Sequence, residues 1–346
     1  MGVIPPSRNS HYLVYCMKPK VKSNKQSNKP YILDKLEVTL ESSLSKSATT
    51  LYNTALSRYN TVKKVNRIIQ DIPTKEVFDK YQGALNCSKV VLQEGSKLNM
   101  MRCKKKFCQT CSRIKTADMI NGYYEALMSL GQLYFVTLTA PTVKGRQLKS
   151  EINKRLKAFQ RVKDRLRKRG IKLNGMRKLE CTFTEEGKYH PHFHFIQLGA
   201  MESKALLEEW LKEFPKASIK AQDITPVINI TSFKELFKYG AKETVKNVDI
   251  PGEALHTIYK AFEGVRNFQA YGKVKKAKYK PQAEELTTDF MPIKDQYQYE
   301  VYLYQMKDKT WTSAEGEYLI NTNEITFNLL QDKINQSKIE QNRYDE

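Results

Sequence analysis

The hydrophobic rhythm of the chain changes several times. From about Ser45 to Ile72, Leu51, Ala55, Tyr59, Val62, Val65 and Ile69 recur at helical spacing, and Pro73 ends the run. Lys89–Gln93 predicts a short strand, and Ile114–Leu130 a second helix closed by Gly131. The period then falls to two. Leu133–Ala140 predicts a strand, stopped by Pro141. Leu148 to Arg169 predicts an amphipathic helix, with Leu148, Ile152, Leu156, Phe159, Val162 and Leu166 as its stripe and Lys and Arg crowding the other face. Met176–Thr184 and Tyr189–Leu198 predict paired strands joined by the turn Glu185-Glu186-Gly187-Lys188. A helix over Glu202–Phe214, a strand over Ser218–Val227 and helices over Thr231–Lys246 and 253–268 follow. The stretches QYEVYLYQ and EGEYLI predict hairpin strands, with a closing helix near 325–340.

This order predicts an α+β fold, a central mainly antiparallel sheet with flanking helices. The main domain is expected over 113–272. A basic lead-in and helical region (1–86) and a Cys-rich segment (87–112) precede it. A basic, exposed linker (273–284, beginning KVKKAKYK) and a β-rich region with a terminal helix (285–346) follow.

Composition narrows the function. Of 346 residues, 59 are Lys or Arg and 37 Asp or Glu, a net charge of +22, which argues for a polyanionic partner such as nucleic acid. No apolar run approaches the roughly 18 residues that a membrane span needs. The first residues lack a basic stretch followed by an apolar core, so neither a secretion signal nor a membrane partner is expected, and the expected location is cytoplasmic. Six cysteines in such a chain suggest thiols or a metal site, not a disulfide framework.

Three of the five histidines lie in one window, His190-Pro191-His192-Phe193-His194. Alternate side chains of a strand share a face, so the imidazoles point one way and Phe193 and Phe195 the other, into core. Glu180, on the preceding strand, can be paired near His192 and His194. Two imidazoles and a carboxylate make a mixed-ligand metal site that suits Mn²⁺ or Mg²⁺, Mn²⁺ accepting nitrogen more readily; His190 is an additional candidate ligand. In the predicted helix 231–246, Glu235, Tyr239, Lys242 and Lys246 share a face opposite Phe233, Leu236, Phe237 and Ala241. That face joins a phenol nucleophile, a carboxylate and a cation. Cys103, Cys108 and Cys111, with Cys87 sixteen positions before them, are candidate ligands for a structural Zn²⁺; reduced thiols among basic residues are the plain alternative. Cys16 and Cys181 lack partners and are expected in core.

In order, LYFVTLTAP, LECTFTEEGKYHPHFHF and ELFKYGAK resemble the three motifs of HUH-superfamily rolling-circle replication initiators, most closely the plasmid Rep family with one catalytic tyrosine. The resemblance covers about residues 87–272 and implies an RRM-like palm. It implies a bacterial endonuclease that nicks a plasmid origin, single-stranded or extruded as a hairpin, and works with host helicase and polymerase. By resemblance, His192, His194 and Glu180 hold the divalent metal. Tyr239 attacks phosphorus to form a 5′-phosphotyrosyl link and a 3′-OH primer. Lys242 completes the Tyr-x-x-Lys pattern and stabilises charge, and Glu235 is the general base for the terminating hydrolysis. The flanks four residues from Tyr239 are Glu235 and Glu243, so the two-tyrosine scheme does not fit. Competing readings are a histidine-triad nucleotide hydrolase or transferase, a non-enzymatic zinc-stabilised DNA-binding protein, and a transposase of similar chemistry. The Lys- and Arg-rich face of helix 148–169 and the KVKKAKYK segment are expected to touch phosphates, and Thr137 and Thr139 to line a strand without a catalytic role.

Overall fold

A computed structural model describes residues 46–94, 97–228, 231–237, 244–245, 248–277, 286–287 and 300–320. The expected lead-in, Cys16, Tyr239, Lys242 and the closing helix lie outside the described residues.

The chain is α+β, and its described residues form two five-stranded sheets and one two-stranded ribbon. Helix α1 (Lys46–Asp71) ends before Pro73. Thr74 caps α2 (Lys75–Leu85), its hydroxyl accepting from the Val77 amide. Strands β1 (Val90–Glu94) and β2 (Lys97–Met100) form an antiparallel hairpin. Helix α3 (Gln109–Met128) starts five residues earlier than its apolar pattern predicts, with Cys108 at its N-cap position and the Thr61 hydroxyl accepting from the Gln109 amide. The central sheet has the order β6-β3-β5-β4-β9, antiparallel throughout: Asp223–Pro226, Leu133–Leu138, Tyr189–Leu198, Gly175–Phe183 and Phe268–Tyr271. The turn between β4 and β5 closes on Gly187 at φ 70°. Gly175 lets β4 approach β5, since a Cβ there would lie 2.2 Å from the Ile196 carbonyl oxygen.

The two faces of this sheet carry separate cores. Phe193, Phe195, Leu179, Val136 and Leu138 face helices α4 (Leu148–Lys168) and α5 (Ala200–Glu213), where Phe159 and Trp210 are buried. Phe159 sits 5.2 Å from Phe195 and Trp210 5.6 Å from Phe193, centroid to centroid, at the tilted and edge-on angles that aromatic pairs prefer. Met176, Ile196, Leu133 and Phe268 face the opposite way, against α3 and the short helix α6 (Thr231–Phe237). Helix α7 (Gly252–Ala261) packs on α1 and α4.

Several expectations are corrected. The helix predicted to run to Lys246 is described only to Phe237, and Thr244–Val245 (β7) instead pairs with Val248–Asp249 (β8). β-Branched residues at 244 and 245 favour that pairing over a helix. The strand predicted over Ser218–Val227 is short, preceded by a single tight helical turn at Ile219–Ala221. The segment 253–268 divides into α7 and strand β9. The start of the expected exposed linker packs on α3: Val274 is buried, Ala277 N–H donates to the Gly122 carbonyl, and Lys276 meets Asp118 at 2.7 Å.

The second sheet joins distant parts of the chain. Its order is β10-β2-β1-β11-β12, with Leu286–Thr287, Glu300–Gln305 and Thr310–Thr312 as β10, β11 and β12. Val91 stands opposite Tyr302, and Trp311 donates its indole N–H to the Ser88 carbonyl. EGEYLI adds only a bridge between Tyr318 and Thr312.

The basic face of α4 is partly committed within the protein. Arg165 binds Glu209 and Glu213 of α5 at 2.6 Å each, Arg169 binds Glu209 at 3.0 Å, and Arg161 binds Glu213 at 2.5 Å. Arg155 is buried and donates to the Pro141 carbonyl. These four cannot also serve as loose phosphate contacts without giving up partners.

Candidate metal centre and cysteine cluster

The β4–β5 register puts Glu180 opposite His192 and Lys178 opposite His194. All four side chains leave the sheet on the face covered by α6. One ligand atom from each of Glu180, His192 and His194 lies within 4.8 Å of the others. The His192 Nδ1 lies 2.9 Å from the His190 carbonyl oxygen. A carbonyl can only accept, so His192 carries its proton on Nδ1 and turns a lone pair outward on Nε2. The His194 Nδ1 lies 3.1 Å from the Thr137 hydroxyl, which can accept or donate; as acceptor it gives His194 the same tautomer. The two Nε2 atoms then face each other at 3.1 Å, and Glu180 Oε2 lies 3.7 Å from the Nε2 of His194. Converging nitrogen lone pairs beside a carboxylate are a donor set that a divalent cation fits.

Lys178 is the part of this site that sequence reasoning missed. It is 3% exposed, and its Nζ lies 2.8 Å from Glu180 Oε2 and donates to the Glu235 carbonyl of α6 at 3.2 Å. Burial pushes the Glu180 carboxyl up, but the Lys178 ammonium, together with His192 and His194, holds it below its ordinary range. Strand parity alone puts residues 178 and 180 on one face. A lysine on a strand ordinarily marks a wet surface, which hid its role. Thr137, expected only to line its strand, orients His194, while Phe135 stacks against that ring at 5.3 Å.

His190 shares the face but stays outside the three-residue group, opposite Thr182. Burial first, then His192 and Arg155, push its pKa down to about 4. Glu235 is half-buried near the end of α6, tied to the site through its backbone. A cleft of about 310 Å³ adjoins the site; its lining includes Glu180, Phe107, Tyr259, Phe262, Lys105 and Lys106.

Cys87, Cys103, Cys108 and Cys111 also converge, their sulfurs all within 4.8 Å. None is in a disulfide. Cys87 follows α2, Cys103 follows β2, and Cys108 and Cys111 open α3, so the second sheet's hairpin is held between the first two. Cys181, alone as expected, is buried, and burial pushes its thiol up to about 12.

The profile of the family described as "Replication protein" matches residues 96–319. "Protein rep" of Streptococcus pneumoniae serotype 2 (strain D39 / NCTC 7466) is 29% identical over 153 residues, 39% of this chain and 46% of that protein. "Protein rep" of Bacillus amyloliquefaciens is 26% identical over 158 residues, 42% of this chain and 45% of its own. "Protein rep" of Lentilactobacillus hilgardii is 25% identical over 144 residues, 38% and 45% respectively. The chain thus aligns with just under half the length of these relatives. No solved structure gives a significant match. With the profile covering well over half of its length, the chain belongs to the replication protein family, that of the plasmid rolling-circle Rep initiators.

Proposed function

We propose that this protein is a metal-dependent endonuclease that nicks plasmid origin DNA in the bacterial cytoplasm. The observation that carries the reading is the convergence of His192, His194 and Glu180 on one sheet face, beside a cleft lined with lysines and aromatic rings. His192, His194 and Glu180 would hold Mn²⁺ or Mg²⁺, which when bound supplies Lewis-acid polarisation of the scissile phosphate. Thr137 and the His190 carbonyl orient the two imidazoles. Lys178 keeps Glu180 ionised and ties the site to the end of α6.

Tyr239 is the proposed nucleophile. Its phenolic oxygen attacks phosphorus and gives its proton to solvent, the bond to the 3′ oxygen breaks, the leaving oxygen takes up a proton from solvent, and a 5′-phosphotyrosyl link and a 3′-OH result. Lys242 would stabilise the phenolate or phosphate charge, and Glu235 would accept a proton from water in the terminating cleavage. The 3′-OH is the end a host polymerase extends, behind a host helicase.

Single-stranded origin oligonucleotides with Mn²⁺ or Mg²⁺ test this by a covalent protein–DNA band. The band should form with the wild type, vanish with Tyr239→Phe and with a chelator, and accumulate with Glu235→Ala. A Tyr239→Phe protein that still forms the adduct would overturn the assignment. Cleavage insensitive to chelation would favour the histidine-triad alternative instead.

A further inference from the structure

We propose that Cys87, Cys103, Cys108 and Cys111 form a structural zinc site whose task is to hold the loop Lys104–Phe107 at the mouth of the nicking cleft. The second half rests on the nicking reading; the first does not.

The sulfur spacing carries the metal. A tetrahedral Zn²⁺ with Zn–S near 2.3 Å separates its sulfurs by about 3.8 Å. Here Cys87 lies 3.6 Å from Cys111 and 3.5 Å from Cys108, and Cys103 lies 3.8 Å from Cys111. A disulfide would need about 2.05 Å, and all four sulfurs lie within 4.8 Å of one another, each with at least one neighbour at a zinc-like separation. The backbone supplies an independent observation. Ser88 and Lys104 each follow a cysteine of the cluster and each takes a positive φ of 54°, which non-glycine residues rarely adopt. The turn at Lys104 aims its N–H at the Cys111 sulfur (3.2 Å), and Cys103 N–H points at the Cys87 sulfur (3.4 Å). Amide donors on sulfur stabilise thiolate, the form a metal binds.

The loop that these turns shape has a destination. Lys104, Lys105 and Lys106 are exposed, whereas Phe107 is buried against Tyr81 and Tyr259 at 4.7 and 5.4 Å. Lys106 is anchored to the Val265 carbonyl at 2.7 Å. Lys105, Lys106 and Phe107 line the cleft that also borders Glu180. A short basic loop, pinned at both ends by metal ligands and seated on an aromatic floor, suits the phosphates of a strand entering the site.

Two measurements on the full chain test this. The first is metal content of protein purified without chelator, with Co²⁺ exchange read for a thiolate-to-metal charge-transfer band and tetrahedral ligand-field bands. One zinc per chain and the thiolate band are expected, both retained in His192→Ala and Cys181→Ser and lost in Cys108→Ser. Should Cys108→Ser not fold, release of one zinc on titrating four thiols of the wild type replaces it. The second is single-stranded DNA affinity against salt for Lys104→Ala/Lys105→Ala. Zinc should be unchanged, while the log–log salt slope becomes shallower by about 1.4, the value for two lost phosphate contacts. Zinc-free wild type that fails to take up metal, or an unaltered slope, overturns the proposal. Neither readout uses cleavage. A protein that binds zinc and DNA as stated but never nicks leaves the zinc site and the loop's phosphate contacts standing and removes the nicking reading, and with it the loop's place at a nicking cleft.

Discussion

Replacing Lys178 by Met should expose how tightly the candidate metal centre is held. The side chains of Lys178 and Glu180 are only 4% and 8% exposed, and they meet at 2.8 Å. Met conserves much of the stem and removes the ammonium, leaving Glu180 buried without its counter-charge. Breaking a buried pair in this way costs about 3–5 kcal/mol. At roughly 2–4 °C per kcal/mol, the melting temperature should fall by about 6–20 °C. Glu180→Gln alone should cost less, and Lys178→Met/Glu180→Gln should fall short of the sum by on the order of 2 kcal/mol, since a neutral amide no longer needs the ammonium. Urea unfolding of the four proteins, without metal and with Mn²⁺, gives the cycle. Mn²⁺ should restore more stability to Lys178→Met than to the wild type, because a cation held by Glu180 replaces the missing charge. A single variant within about 0.5 kcal/mol of wild type, with no coupling, would refute the reasoning.

Three further outcomes are expected. Thr137→Val removes the hydroxyl facing His194, and should weaken Mn²⁺ binding about 10–100-fold while barely moving stability, as metal titration would register. His190, neutral down to about pH 4 in the folded chain and titrating near 6.5 when unfolded, lets the unfolded state take up its proton first. Its contribution to stability is therefore present above about pH 6.5 and is lost as pH falls toward about 4; urea midpoints across that window should drop less steeply in His190→Asn. Arg165→Ala removes the arginine that bridges Glu209 and Glu213, leaving Arg161 and Arg169 on them, so it should lower stability but leave the salt slope of DNA binding unchanged; a shallower slope would show that Arg165 serves DNA after all.

The parts of the fold that local pattern governs were legible in the sequence. The alternation through His190–His194 and the turn at Gly187 set both the face and the register of β4 and β5, and the pairing of Glu180 with His192 follows from them. What escaped depends on partners distant in sequence. Lys178 reads as a surface lysine until α6 lies over it. Arg161, Arg165 and Arg169 read as a solvated basic stripe until Glu209 and Glu213 are brought alongside. The union of β1 with β11 leaves no short-range mark, because any strand of suitable period could fill either place. Thr137 looked like strand filler because a hydroxyl aimed at an imidazole has the same alternation as one aimed at water.

The pairing of Val91 with Tyr302 has a consequence in time. At ~5–20 residues per second, a ribosome making this chain needs roughly 10–40 s between completing β2 and delivering β11. The central sheet has all its strands by Tyr271 and can close in that interval, while the hairpin waits with an open edge. The four cysteines lie within residues 87–111, so their cluster can assemble early in the wait. The chain's two tryptophans divide between these stages: Trp210 is buried beneath the central sheet, and Trp311 bonds to Ser88 across the late-closing one. Each indole is thus a natural clock for one sheet, readable by fluorescence without a label.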